Sequence, residues 1–203
     1  MKPRITAKRV RRENINLSGT DKMARILSKR PYPPGVHGPK GQGRMSDYGK
    51  QLREKQRAKL VFGLQERQFR SLFEKATSMK GDTGENFVRM LESRLDNAVY
   101  RAGFAKTRAA ARQLVSHAHI DVDGQKVNIP SFQIKPGIVI SVRATKRGKG
   151  YWKAFGEATK SVTTPSWIHT DLKELTAKVA SLPSGDELKQ PFDPKLIVEF
   201  YSR

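Results

Sequence analysis

The chain has 203 residues, enough for one medium or two small domains with hydrophobic cores of their own, and two is the expectation. Its 40 Lys and Arg against 19 Asp and Glu give a net charge of +21, which exceeds the needs of solubility and points to a polyanionic partner, nucleic acid before membrane. Cysteine is absent, which excludes disulfides, thiolate zinc sites and cysteine nucleophiles; no apolar run reaches membrane-spanning length, and the basic start Met1 to Arg12 lacks the apolar core of a secretory signal, so a cytoplasmic protein is expected.

The charge is uneven. Residues 1–60 carry 17 Lys and Arg against 4 acids, so +13 of the +21 lies there. Residues 1–45 are read as an irregular basic RNA-binding arm. Between Asn14 and Gln42 no helical or strand period emerges, and Pro31, Pro33, Pro34, Gly35, Gly38 and Pro39 impose turns and extended backbone. Arg9, Arg11, Arg12, Lys29 and Arg30 are its candidate phosphate ligands, while Tyr32 and His37 are candidate stacking partners for splayed bases.

Ser46 is placed to cap a helix running over Asp47–Leu60 and ending near Gly63. It contributes Tyr48 as a third stacking candidate and Arg53, Lys55 and Arg57 as candidate RNA contacts. A second helix follows, because Phe69, Leu72, Phe73 and Ala76 keep the i, i+3, i+4, i+7 spacing of a buried stripe; Arg67 and Arg70 on it are further candidates. Lys80, Gly81 and Asp82 break the chain. Thr83 then caps a long third helix with Phe87, Leu91, Leu95, Ala98 and Ala102 as its buried stripe and Gly103 as its stop. Residues 46–90 form a helical domain, completed by residues 180–203.

Residues 91–179 form a second domain. On the face opposite the apolar stripe, Arg94, Asn97 and Arg101 follow i, i+3, i+7. A fourth helix from Thr107 to about Ala118 turns Ala110, Ala111, Leu114 and Ala118 inward and Arg108, Arg112 and Ser116 to one other face, with Lys106, Thr107 and His117 at its ends. Two adjacent basic faces can make a groove edge whose Arg forks suit phosphate oxygens; for any one of them ordinary solvated surface is the alternative. Reversing Arg108 and Arg112 together is expected to weaken RNA binding without unfolding the protein. The period then changes to two: Ile120 and Val122, the Asp123-Gly124 turn, and Val127 and Ile129 read as a tight hairpin, and Ile138, Ile140 and Val142 add a strand. Lys146, Arg147 and Lys149 lie in a basic loop, KRGK. Leu172, Leu175 and Val179 predict a short helix, and the apolar end, Leu196, Ile197, Val198 and Phe200, docks on the core. The fold class is α+β.

Two short helices with a basic face followed by a hairpin with an Asp-Gly turn resemble the alpha-L RNA-binding motif. The segment LESRLDNAVYRAGFAKTRAAARQLVSHAHIDVDGQKVNIPSF, Leu91 to Phe132, resembles the family of ribosomal small-subunit protein four nearly residue by residue. RPYPPGVHG at Arg30–Gly38, SDYG at Ser46–Gly49, LREKQ at Leu52–Gln56, ERQFR at Glu66–Arg70 and EFYSR at Glu199–Arg203 look like the same family. The resemblance implies a structural constituent of the small subunit that binds its ribosomal RNA at a multi-helix junction early in assembly. It also implies a position beside the messenger RNA entry channel, with Lys40 and Arg44 nearest the messenger, neighbouring small-subunit proteins as partners and a role in decoding accuracy. Many members hold zinc through four cysteines in the arm; here KRVRRENINLSG has none, and no metal or other cofactor is expected.

An enzymatic alternative is a pseudouridine synthase, since the alpha-L motif occurs with an RLD signature there and Arg94-Leu95-Asp96 is present. The triplet sits in the third helix, NAVYRAG follows it, and too little chain remains for a catalytic domain, so no catalytic residue is nominated. A general nucleic-acid-binding protein or free RNA chaperone is not excluded by charge.

Overall fold

In a computed structural model, residues 5–41, 43–153, 155 and 164–203 are described. The first four residues of the arm, Gln42, and most of the weakly patterned stretch after Lys153 lie outside them. The chain forms two compact units, Met1–Val88 with Lys189–Arg203, and Arg89–Leu188.

The first unit is helical. The arm contributes α1 (Ala7–Glu13), started by Thr6, whose hydroxyl accepts from the Arg9 amide, and stopped at Asn14 with φ 52°. It also holds α2 (Asp21–Lys29), inside the stretch expected to lack any helical period. The half-buried Met23, Ile26 and Leu27 do follow i, i+3, i+4, but over nine residues the pattern is too brief to stand out from the turn residues around it. Beyond it, among the described residues of the arm, only Gly38–Lys40 is helical, as a 3₁₀ turn. Nor is the arm detached: Val10 and Leu17 are buried, and Arg53 and Arg57 hold the Glu13 carboxylate at 2.9 and 3.2 Å.

Helix α3 (Asp47–Phe62) begins where Ser46 Oγ accepts from the Gly49 amide at 3.2 Å and ends at Gly63 with φ 62°. Helix α4 (Glu66–Thr77) and the first part of α5 (Thr83–Glu92) pack through Phe69, Phe73 and Phe87, edge to face at 4.9 and 5.5 Å. The cap of α5 is Asp82, whose Oδ1 accepts from the Glu85 amide at 2.7 Å, rather than Thr83.

The expected long third helix is two helices. It stops at Glu92 and restarts as α6 (Leu95–Arg101), because Arg94 is extended (φ −73°, ψ 140°) and bridges to Gln133. The Leu95 and Asp96 amides, which would be orphans at a helix start, donate to the Phe132 and Pro130 carbonyls at 2.8 and 3.2 Å. A returning loop therefore replaces one turn of helix, and an apolar stripe cannot register that.

In the second unit α6 and α7 (Arg108–Ser116) accompany an antiparallel sheet of β1 (Ile120–Val122), β2 (Gln125–Lys126), β3 (Val139–Val142), β4 (Ile168–Asp171) and β5 (Thr176–Val179), in the order β2-β1-β3-β5-β4. Asp123 and Gly124 take φ 48° and 77°, the two positive values a type I′ turn requires. The second hairpin strand is shorter than expected, with Ile129 exposed. KRGK is not a plain loop: its Lys146 and Arg147 end α8 (Ala144–Arg147), and α9 (Gly150–Lys153) follows it directly. The expected helix around Leu172–Val179 is a hairpin, β4 turning into β5 with Leu175 at φ 54° and Asp171 Oδ1 accepting from the Lys173 and Glu174 amides. Its burial alternates at Ala177 and Val179, a period of two. Phe104, Ile120, Ile140, Trp167 and Val179 sit in the core of this unit, and the α+β class is as expected.

Helix α10 (Pro194–Tyr201) packs on α3 with Ile197 fully buried, capped by Asp193. Tyr201 donates to Glu66 at 2.9 Å, as do Lys55 and Lys59 at 3.0 and 2.5 Å, and Lys55 Nζ lies 4.1 Å over the Phe200 ring. Partial burial alone would raise the Glu66 carboxyl, but these donors outweigh it and hold it at about 2 against an ordinary 4.5. With the folded value below the unfolded one, the stabilisation is complete above pH 4.5 and is lost as pH falls towards 2. Glu66→Gln should lower stability at neutral pH by about 1 kcal/mol, exposure having screened the rest. Denaturant unfolding across the acid range checks it: the variant's stability should fall less steeply with acid, and an unchanged acid limb would show that this carboxylate does not hold α10.

Candidate nucleic-acid interface

Two buried carboxylates organise the basic face of the second unit. Glu92 accepts from Arg101 Nε and Nη2 at 2.8 Å each and from Asn97 Nδ2 at 2.7 Å, with Arg108 Nη2 at 3.6 Å. Arg108 Nε also donates to Asn97 Oδ1 at 2.7 Å, and its guanidinium lies 4.6 Å over the Tyr100 ring. Asp96 receives a two-pronged donation from Arg94, at 3.1 and 2.9 Å, and Arg112 Nη1 at 3.5 Å. Four guanidinium groups thus surround two carboxylates, a formal excess of two positive charges. Burial would raise the Glu92 carboxyl, yet the Arg101 hydrogen bonds and charge, with the charge of Arg108, hold it below the usual range.

The spacing explains the assembly. Arg108 and Arg112 stand four residues apart on one face of α7, and the break between α5 and α6 brings Glu92 and Asp96 opposite them, Glu92 at 3.6 Å from Arg108 and Asp96 at 3.5 Å from Arg112. Thr107 fixes the start of α7, its hydroxyl accepting from the Ala110 amide at 3.1 Å. The side chains of Arg101, Arg108 and Arg112 remain 28, 20 and 16% exposed. Arg94 and Asn97, expected on the same solvent face, are instead 2% exposed, with their polar groups engaged internally. The reason is the break between α5 and α6, which turns the supposed outer face of a single helix inward. Lys106 before α7, Ser116 at its last position and His117 after it are exposed.

Farther along the second unit, Lys149 and Arg147 are exposed and Lys146 half-buried, with Arg147 Nε donating to the Val142 carbonyl at 3.1 Å. His119, beside them, accepts from Trp152 Nε1 at 2.9 Å, and burial together with Lys146 and Lys149 lowers its pKa. Among the described residues no group of three or more His, Asp or Glu is placed to hold a metal ion.

The candidates in the first unit divide in two. Arg9, Arg12, Lys29, Arg30, His37, Lys40, Arg44, Tyr48, Arg67 and Arg70 are exposed, Arg70 pairing with Glu74 at 3.0 Å. Others serve the fold. Arg11 donates to the Tyr32 and Pro33 carbonyls and covers the Tyr32 ring; Arg53 grips Glu13 and the Arg12 carbonyl; Arg57 joins Glu13 to Glu54; and Lys55 is buried against Glu66. Arg11, Arg12, Glu13, Lys50, Arg53 and Arg57 are among the residues lining an open pocket of about 500 Å³.

Sequence reasoning missed three features. Lys22 and Arg25 stand with Lys29 at i, i+3, i+7 along α2, which has no buried residue, and the amphipathic run DKMARILSK was the available signal. Glu92 and Asp96 were overlooked as organisers, because the break that brings them together is set by the distant loop at Pro130–Phe132. Tyr100 under Arg108 had no signal in the sequence.

Charge reversal at Arg108 and Arg112 can no longer be expected to spare the fold, because the new carboxylates would face Glu92 and Asp96. Glu92→Ala should destabilise the second unit by about 3 to 5 kcal/mol, since it strands partly buried guanidinium charge. Thermal unfolding checks this, and a loss within a few tenths of a kcal/mol would mean that water replaces the carboxylate.

Two family models match the chain in succession: the ribosomal protein S4/S9 N-terminal domain over residues 3–92, and the S4 domain over residues 93–140. Among curated proteins, small ribosomal subunit protein uS4 of Geobacillus sp. strain WCH70 is 51% identical over 193 residues, covering 95% of this chain and 94% of that one. The proteins of the same name from Roseiflexus sp. strain RS-1 and Oceanobacillus iheyensis are 50 and 48% identical, over 93 and 97% of this chain and 93 and 96% of their own lengths. With about half of its residues shared along nearly the whole length of such relatives, the chain belongs to the family of small ribosomal subunit protein uS4.

Proposed function

We propose that the chain is a structural constituent of the small ribosomal subunit, binding its ribosomal RNA without catalysis. The end-to-end match with relatives named as small-subunit proteins carries this reading. The S4 domain match and the arginine edge built on Glu92 and Asp96 support RNA as the ligand. Guanidinium groups already oriented by a carboxylate lose little freedom on meeting a phosphate, and a fixed constellation of them reads the shape of folded RNA.

The finer reading is a primary binder at a multi-helix RNA junction that nucleates subunit assembly in the cytoplasm, with neighbouring ribosomal proteins around it. Its parts would be the arm (1–45), the helical domain (46–90 with 180–203) and the alpha-L domain (91–179). Lys40 and Arg44 are exposed and would reach messenger RNA near its entry, where the protein would bear on accuracy. Arg9, Arg12, Lys29, Arg30, Arg67, Lys106 and Lys149 are the exposed cations best placed for phosphates, whereas Arg94 and Asn97 would act by holding their neighbours.

The test is the affinity of the full chain for naked small-subunit ribosomal RNA against a length-matched structured decoy at physiological salt. A large preference is expected; equal binding would leave a general nucleic-acid-binding protein. Lys106→Ala should lower the slope of log affinity on log salt by about 0.9, one phosphate contact, and an unchanged slope would take this residue out of the interface. Point changes serve better than removal of residues 1–40, which would also uncover the core now closed by Val10 and Leu17.

A further inference from the structure

We propose that the tip of the arm, Val36 and His37, is a base-contacting site that packs on the face of an unpaired nucleobase. The inference deepens the RNA-binding reading above and rests on it.

The tip is held out from behind. Arg11 donates to the carbonyls of Tyr32 and Pro33 at 3.1 and 3.2 Å, and its guanidinium lies 4.9 Å over the Tyr32 ring. Gly38 donates to the Gly35 carbonyl at 3.1 Å, and its backbone approaches Pro33 so closely that a Cβ there would stand 1.9 Å from the Pro33 oxygen. Pro33 and Pro34 restrict the backbone further. At the apex Val36 is 92% exposed, more than any other large apolar side chain among the described residues. Next to it the exposed His37 imidazole has no hydrogen-bond, ion-pair or ring partner among the described residues. Of the two tyrosines that could also stack, Tyr32 lies under Arg11, and Tyr48 is exposed on α3, outside this loop, with its ring 5.7 Å from Phe200.

Charge identifies the partner. Residues 29–44 contain Lys29, Arg30, Lys40 and Arg44 and no acid, and all four cations are exposed. Such a rim attracts a phosphate chain. Between those cations, an imidazole face and an isopropyl group offer the flat, apolar contact that a splayed base accepts whatever its identity. Folding the loop in advance removes much of the ordering cost on binding.

The experiment compares the full chain and its variants on two probes: a single-stranded oligoadenylate of about twelve nucleotides and an abasic RNA oligomer with the same number of phosphates. His37→Ala should weaken binding to oligoadenylate by at least about fivefold, leave the abasic oligomer unaffected and leave the salt slope unchanged. Gly38→Ala, which must displace the tip, should lose as much, and His37→Tyr should retain the affinity. An equal loss on the abasic oligomer, or a shallower salt slope, would assign His37 to a phosphate and overturn the proposal. Unchanged affinity for oligoadenylate would overturn it too, leaving the tip to a protein pocket. The preference for small-subunit RNA over the decoy is read separately, so failure of the ribosomal reading and failure of base contact give different results.

Discussion

The architecture of the second unit depends on taking two carboxylates out of water among four arginines. Desolvating Glu92 and Asp96 costs several kcal/mol each unless every lone pair is met, and Arg94, Asn97, Arg101, Arg108 and Arg112 meet them. The arrangement is possible only because α5 stops at Glu92. Once the helix ends there, the Glu92 carbonyl needs a donor, and Asn97 Nδ2 supplies it at 2.9 Å while also reaching the carboxylate. The chain break, the buried acids and α7 are therefore joined by one set of contacts.

The same division between supporting and outward-facing cations runs through the first unit. Arg53 and Arg57 are satisfied by Glu13, and Arg11 by two carbonyls and an aromatic face, so the basic arm is attached to the arginines of helix α3 through its Glu13 and to the turn after Arg30 through its own Arg11. A net charge of +21 consequently overstates the surface available to a polyanion. Part of that charge is neutralised internally, and the remainder concentrates on exposed residues such as Lys22, Arg25 and Lys29, whose spacing along α2 places them on one face.

Features decided by a few neighbouring residues were legible. The apolar stripe of α4, the cap at Ser46, the stop at Gly63 and the Asp123-Gly124 turn each follow from local sterics or a single hydrogen bond. Where distant residues decide, the sequence misled. The period through Phe87, Leu91, Leu95 and Ala98 continues across the α5–α6 break, because all four side chains are buried in either case; only the loop at Pro130–Gln133 shows that the helix is interrupted. The hairpin at Ile168–Val179 was hidden for a related reason: Leu172 and Leu175 lie in its turn, so its most apolar-looking spacing belongs to no strand. Of the candidate interface, residues such as Lys106 and His117 stay exposed, whereas Arg94 and Asn97 do not, since burial follows from tertiary pairing.

Pairing inside the protein does not remove these arginines from recognition. A guanidinium has five N–H donors in a plane, and a carboxylate gripping one edge leaves its orientation fixed while another edge can face solvent, as the partial exposure of Arg101, Arg108 and Arg112 permits. Lysine could supply the charge but not the fork, because its ammonium is a point charge on a flexible stem. Electrostatic attraction from loosely held surface cations brings any polyanion close, and it weakens with salt. Discrimination among RNAs needs charges whose relative positions do not adjust to the ligand. In this chain buried acids fix those positions, and the acids that lower the net charge are among the residues on which shape recognition would depend.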